Sequence, residues 1–235
     1  MDPRQLCIDE RLRLGCVYCG GEPDTRDHVP SKILLDEPFP ASLPVVPACR
    51  ECNQSFSLDE EYLSCLLEVV LKGSVDPQEL EHARVRDILT RKPSLADRLL
   101  DAKHVDENEE ITWQPELERV RNVLLKLARG HVAYELNQSR TESPNNITAI
   151  PLALLSESDR GQFERGLVDE ISGWPEIGCR AFYRACGVPP DPHQDGNWIV
   201  VQEHQYRYMV FETSSVVVRI VLREYLACEV VWDIA

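Results

Sequence analysis

The stretches CVYCGGEPDTRDHVPSK (residues 16–32) and LPVVPACRECNQSF (residues 43–56) decide the fold of this chain. Each contains a C-x-x-C pair, and 29 residues separate the two pairs. Two thiolates on one tight turn cover one side of a tetrahedral zinc ion, and a second pair closes the other side. The sequence therefore predicts a structural zinc site with four ligands, which are Cys16, Cys19, Cys49 and Cys52.

The remaining composition favours metal over disulfides for these cysteines. The chain has 235 residues and nine cysteines, and its charged first residues, MDPRQLCIDERLR, lack the apolar core of an export signal. We therefore expect a cytoplasmic protein in which the paired cysteines stay reduced. A redox role for C-x-x-C does not account for two matched pairs. No run of 18 apolar residues occurs, so a membrane partner is not expected.

A helix is predicted directly after the second cysteine pair. Ser57 and Glu60 form the S-x-x-E pattern of a capping box, and the apolar spacing that follows ends at Gly73. Prolines and apolar periodicity predict three further helices, over 77–91, 94–103 and 115–136. In the last of these we expect one buried stripe, made of Leu117, Val120, Val123, Leu124 and Leu127. The acidic run at 106–110 is predicted to be a solvated loop.

The C-terminal part has a different texture. The apolar run at 147–155 predicts a buried strand and residues 158–171 a helix. Short β-branched and aromatic segments then predict an antiparallel meander of four strands. We thus expect an α+β chain in three parts: a zinc domain over 1–72, a helical segment over 73–138 and an α+β C-terminal domain over 139–235.

The loop between the cysteine pairs carries candidates for chemistry. Asp27 and His28 are adjacent, and Asn53 follows the last cysteine at the start of a helix. Asp27 and Asn53 offer oxygen ligands to a divalent cation, which leaves His28 as a general base. Phosphodiester hydrolysis uses both functions, since a base activates water and a metal neutralises the phosphate. In the alternative interpretation, Asp27 caps a turn and Asn53 caps a helix.

The combination of C-x2-C, DHVPSK, VPAC-x2-CN and SLDEEY resembles the HNH endonuclease family, over about residues 14–65. The resemblance implies a treble-clef-like ββα-metal core stapled by zinc. It also implies that His28 is the catalytic base and that Asp27 and Asn53 bind a catalytic Mg²⁺ or Mn²⁺. The implied substrate is nucleic acid, with DNA favoured over RNA. Host defence is a role that only this resemblance suggests.

The chain departs from the HNH pattern at one position and in its charge. The middle Asn of the family is absent, and Ser42 is the nearest candidate to support the loop. The net charge of −15 is unusual for a protein that binds phosphates. Binding would then rest on a local patch, on the divalent metal or on a partner protein that supplies recognition or regulation.

Two other classes of function compete with the nuclease. The first is a non-catalytic zinc-binding module whose acidic surface binds protein, because a fold alone does not establish an activity. A transcription regulator is a weaker candidate, since no predicted helix is rich in Arg and Lys. Binding of a second, oxygen-ligated divalent ion beside the zinc would distinguish the nuclease from the interaction module.

Overall fold

The computed structural model describes residues 15–165, 175–187 and 193–234, and within them helices and strands are mixed. The helices are α1 (Arg50–Ser55), α2 (Ser57–Lys72), α3 (Ala83–Arg91), α4 (Pro93–Asp101), α5 (Leu117–Leu136), α6 (Glu157–Arg165) and α7 (Arg180–Ala185). The strands are β1 (Thr25–His28), β2 (Val45–Ala48), β3 (Lys103–Val105), β4 (Ile111–Trp113), β5 (Asn146–Pro151), β6 (Gln194–Asp195), β7 (Trp198–Gln202), β8 (Tyr206–Glu212), β9 (Ser215–Leu222) and β10 (Leu226–Asp233). None of the helices in this described part has both the length and the apolar character that a membrane span requires.

The chain divides into two compact units, and their limits differ from those of the three predicted domains. One unit combines residues 1–55 with 124–235, and the other contains residues 56–123. The cut at 123/124 falls inside α5, a helix whose start and end were both predicted within two residues. The first unit is discontinuous because segments distant in sequence pair and pack within it, which local sequence patterns do not report.

The second unit contains helices α2 to α4 and the β3–β4 hairpin. The predicted capping box at Ser57 is wrong, because Phe56 before it has helical backbone angles and Ser57 lies inside the first turn. The predicted helix end is confirmed: Gly73 adopts a left-handed conformation with φ of 67°. The predicted loop at 106–110 is the exposed turn of the β3–β4 hairpin.

Helix α3 begins at Ala83 rather than at the predicted residue 77. The backbone N–H groups of Glu81 and His82 both donate to Glu68 Oε1 at 2.9 Å. Because a side chain of α2 accepts both hydrogen bonds, these two N–H groups do not need the carbonyl groups of a preceding helical turn. A contact between segments therefore overrides the local signal of Pro77.

The first unit is built around a six-stranded antiparallel sheet with the order β5-β10-β9-β8-β7-β6. Strands β7 to β10 are consecutive neighbours, which confirms the predicted meander. The apolar run at 147–155 was predicted to be buried, and this is wrong: β5 is an outer strand, its residues are partly exposed, and a 3-10 turn follows at Leu152–Leu154. Apolar content does not distinguish an outer strand from a central one.

Helices pack on both faces of this sheet. Alternation along β8 sends Tyr206 and Tyr208 to the face covered by α5, where the Tyr206 hydroxyl lies 2.7 Å from His131 Nε2. Arg207, on the opposite face, pairs with Glu164 of α6 at 2.7 Å. Of the stripe predicted in α5, four residues are buried, whereas Leu117 is 60% exposed.

One buried network joins α5 to the sheet. The Tyr208 hydroxyl donates to Glu135 Oε1 at 2.6 Å, and Arg184 of α7 pairs with the other oxygen of Glu135 at 2.7 Å. The ring of His131 stacks on Tyr208 with 3.6 Å between centroids. The second half of α5 is thus fixed to the sheet by polar contacts as well as by apolar packing.

The burial of His131 predicts a specific pH dependence of stability. Burial lowers the pKa of His131 to about 3, whereas an unfolded histidine titrates near pH 6.5. Between about pH 3 and pH 6.5 the unfolded chain therefore binds one proton more at this residue than the folded chain does. The contribution of His131 is complete above about pH 6.5 and falls below it by about 1.4 kcal/mol per pH unit. We expect His131→Gln to lose this slope in urea unfolding from pH 7 to pH 4.

The exposed His104 provides the control, since His104→Gln should keep the pH slope of the unmodified chain. Equal slopes for His131→Gln and the unmodified chain would contradict the prediction.

Candidate functional site

The four predicted cysteines come together. Their sulfur atoms all lie within 4.8 Å of one another, and Cys19 Sγ and Cys49 Sγ are 3.8 Å apart. Four thiolates at about 2.3 Å from a central zinc ion would have sulfurs about 3.8 Å apart. Among the described residues this is the one group of three or more His, Cys, Asp or Glu side chains that could hold a metal ion. The cluster therefore fits a metal such as zinc.

Tight turns set the geometry of the first cysteine pair. Gly20 N–H donates to Cys16 O at 2.7 Å, and Cys16 N–H donates to Gly21 O at 2.7 Å. Gly20 has a φ of 77°, which disfavours a side chain, and a Cβ on Gly15 would lie 2.6 Å from Gly20 O. The glycines flanking this pair thus allow the chain to fold back so that both sulfurs face the same point.

The thiols of the cluster do not ionise equally. Burial opposes ionisation of Cys16, but hydrogen bonds from the backbone of Cys49, Tyr18 and Cys19 outweigh it and lower the pKa of Cys16 to about 7. Burial, together with the neighbouring thiols, raises the pKa of Cys52. Four thiolates this close repel one another, and a divalent cation at their centre relieves that repulsion. The chemistry of the cluster thus favours metal binding.

We predict one zinc ion per chain, held by these cysteines. Cys52→Ser removes one ligand and should lower the zinc content of the purified protein to below one tenth, measured by mass spectrometry of the metal. Cys186→Ser is the matched control, because Cys186 is exposed and outside the cluster. Full zinc in Cys52→Ser, or zinc loss in Cys186→Ser, would contradict the assignment.

Asp27 lies in a polar contact network that the sequence analysis missed. Its Oδ2 accepts from the Tyr18 hydroxyl at 2.7 Å and from Lys126 Nζ at 2.9 Å. Lys126 also donates to Ser31 Oγ at 2.7 Å, and its side chain is only 1% exposed. The buried ammonium group of α5 thus holds residues on both sides of His28.

The steric fit between this segment and α5 is equally close. A Cβ on Gly130, one turn after Lys126, would lie 2.5 Å from Val29 Cγ2. Asp27, Val29 and Ser31 are all buried, whereas His28 between them is partly exposed. Asp27, Val29 and Ser31 therefore face α5, and His28 is the one residue of the DHVPS segment that is not buried.

Asn53 reaches the same strand from α1. Its Nδ2 donates to Thr25 Oγ1 at 3.3 Å and to Arg26 O at 3.2 Å. These contacts orient the side-chain amide and place it beside β1, the strand that carries Asp27 and His28. The three predicted residues consequently lie on two adjoining elements, both of which flank the cysteine cluster.

Ser42, the predicted loop support, lies in the connection between β1 and β2. Its hydroxyl is 3.2 Å from His193 Nε2 at the start of the β6–β7 hairpin. The contact joins the loop to the C-terminal sheet rather than to the DHVPS segment.

Of the residues that the sequence analysis missed, Lys126 had a detectable signal. It lies between Val123 and Leu127, inside the stripe predicted to be buried. A lysine in such a stripe requires a buried anionic partner. The sequence does not reveal that this partner is Asp27, 99 positions earlier.

Comparison with known proteins identifies no relative of this chain. No family model, no curated protein and no solved structure matches this chain. The function must therefore be argued from the residues and their geometry.

The buried ion pair predicts a large energetic effect. Lys126→Met leaves the carboxylate of Asp27 buried without its cation and should lower the free energy of unfolding by about 3–5 kcal/mol. Adding Asp27→Leu to that variant removes the unpaired charge and should recover most of the loss. Urea unfolding with unchanged m-values measures both.

The control is a lysine whose ion pair is solvated. Lys92 pairs with Glu61 at 2.6 Å, and its side chain is 46% exposed. Lys92→Met should cost less than about 1 kcal/mol. Similar losses for Lys92→Met and Lys126→Met would contradict the role of the buried pair.

Proposed function

We propose that this protein is a metal-dependent endonuclease of the HNH type that hydrolyses phosphodiester bonds in nucleic acid. The observation that carries the proposal is the arrangement around β1. Asp27 and His28 end this strand, and Asn53 of α1 is hydrogen-bonded to it. The order β1, β2, α1 beside a four-cysteine cluster agrees with the treble-clef-like ββα-metal core that the resemblance implies.

His28 is the proposed general base. The DHVPS segment is fixed on α5 by Lys126, so the imidazole is held on a rigid backbone rather than on a free loop. The imidazole removes a proton from water as the water oxygen bonds to phosphorus. The bond from phosphorus to the 3′ oxygen breaks, and that oxygen leaves with a proton from solvent. The products are a 5′ phosphate and a 3′ hydroxyl.

Asp27 and Asn53 are the proposed ligands of the catalytic cation. The Tyr18 and Lys126 contacts both involve Oδ2 of Asp27, and Oδ1 has no partner among the described residues. The Nδ2 of Asn53 is engaged with β1, so its Oδ1 is the atom available to a metal. These two oxygens suit Mg²⁺ or Mn²⁺, which when bound would neutralise charge on the phosphate and on the leaving oxygen.

We favour DNA as the substrate, as the resemblance to the HNH family implies. The net charge of −15 argues against binding through a broad basic surface. A partner protein that supplies recognition, as in a defence system, would resolve this difficulty.

A non-catalytic zinc module is the second candidate. The observation that favours it is the Lys126 ammonium on Asp27, because this ion pair balances the charge of the carboxylate without any metal. In that case Asp27 would serve only to hold the segment on α5, and the acidic surface would bind protein.

A cleavage assay distinguishes the two candidates. Supercoiled plasmid, linear duplex, single-stranded DNA and RNA are incubated at low salt with Mg²⁺ or Mn²⁺. We expect metal-dependent cutting that falls at least about 100-fold in His28→Ala, because general-base catalysis contributes that much. His104→Ala, which removes an exposed histidine of β3, should retain full activity.

Zinc content and circular dichroism establish that each variant is folded. Undiminished cutting by folded His28→Ala would exclude His28 as the base. No cutting by the zinc-loaded unmodified chain, alone or with a partner recovered from its host, would favour the interaction module.

A further inference from the structure

The connection between β1 and β2 is long for two strands of four residues. It runs from Val29 to Pro44, and the two ends meet where Val29 N–H donates to Pro44 O at 2.9 Å. A connection of this length is not ordered by the strands alone, because its closure and ordering cost conformational entropy. Other parts of the chain must therefore hold it.

The connection has a first arm, which leaves β1 and contains Asp36, and a second arm, which contains Ser42 and leads to β2. Gln202 holds the first arm. Asp36 N–H donates to Gln202 Oε1 at 2.8 Å, and Gln202 Nε2 donates to Asp36 O at 2.9 Å. A side-chain amide thus pairs with both polar groups of one backbone residue, which fixes its position and its direction. Gln202 ends β7 just after an irregularity in the register with β8, and such irregularities redirect side chains.

His193 holds the second arm. Its Nε2 lies 3.2 Å from Ser42 Oγ, and its carbonyl accepts from Val200 N–H at 2.7 Å. The second contact ties His193 to β7, the strand that also ends in Gln202. Both arms of the connection are consequently held by one hairpin of the C-terminal sheet.

We propose that Gln202 and His193 are positioning residues of the nuclease site, so that the C-terminal sheet is part of the catalytic module. This inference rests on the proposed function. The connection starts at Val29, directly after His28, and ends at β2, the partner of β1. Holding Asp36 and Ser42 therefore limits movement of the segment that carries His28. Without these contacts the part of the connection around Asp36 and Ser42 loses order, and the backbone after His28 keeps the Lys126 contacts with Asp27 and Ser31 but loses this further support, so the imidazole is positioned less precisely. The cysteine cluster persists.

Gln202→Leu tests the inference at two levels. Hydrogen exchange should become faster at the Asp36 amide, by at least about tenfold, because its acceptor is removed. The kcat for the cleaved substrate should fall by about 10-fold to 100-fold at unchanged KM, because the base is misplaced while binding is retained. Gln194→Leu is the matched control, since Gln194 lies in the same hairpin and bonds to Gly196 O instead.

A coupled pair of substitutions tests the second arm. Ser42→Ala and His193→Ala should each lower kcat, and the double variant should lower it no further than the more severe single variant. His193→Gln, which keeps a side-chain group that can hydrogen-bond with the Ser42 hydroxyl, should recover activity relative to His193→Ala.

The outcomes separate this inference from the nuclease proposal. Faster exchange at Asp36 with unchanged kcat would overturn the positioning role and leave the nuclease intact. Unchanged exchange at Asp36 would overturn it as well. If the unmodified chain cuts no substrate, alone or with a partner recovered from its host, the nuclease proposal fails. The positioning role built on it then fails too, even where the exchange result holds.

Discussion

The buried ammonium group of Lys126 imposes the constraint on which the candidate site depends. A charge that is removed from water must be paired and hydrogen-bonded, and Lys126 finds both requirements in Asp27 and Ser31. This pairing brings α5 against the N-terminal motif, where Gly130 allows Val29 to approach closely. Helix α5 also binds the sheet through Glu135. Helix α5 thereby connects the segment around His28 to the C-terminal sheet.

The β1–β2 ribbon is held at its two ends by different chemistry. At one end, the cysteine pair before β1 and the pair after β2 come together, and a metal ion coordinated by all four thiolates would join them. At the other end the ion pair and the close contact with α5 hold the DHVPS segment. A ribbon of two four-residue strands is marginal by itself. Anchors at both ends would give it the rigidity that the proposed catalytic arrangement requires.

Sequence patterns predicted the features that arise locally. The cysteine spacing predicted the cluster, Gly73 predicted the end of α2, and β-branched runs predicted the meander. The failures have tertiary causes. Glu68 pairs with the backbone N–H groups of Glu81 and His82, inside the range 77–91 that was predicted to be helical, and α3 begins only after them. The position of β5 at the edge of the sheet determines its exposure. The contacts of Lys126 and Gln202 span 99 and 166 positions, and a single sequence carries no signal for such pairings.

The most direct measurement is anomalous diffraction from crystals of the zinc-loaded protein soaked in Mn²⁺, with data collected at the edges of both metals. The proposal predicts a zinc peak at the four cysteines and a separate manganese peak bound by Oδ1 of Asp27 and Oδ1 of Asn53, with Lys126 still on Oδ2. A zinc peak alone, at manganese concentrations that saturate metal-dependent nucleases, would contradict a catalytic cation at this site and favour a purely structural role for Asp27.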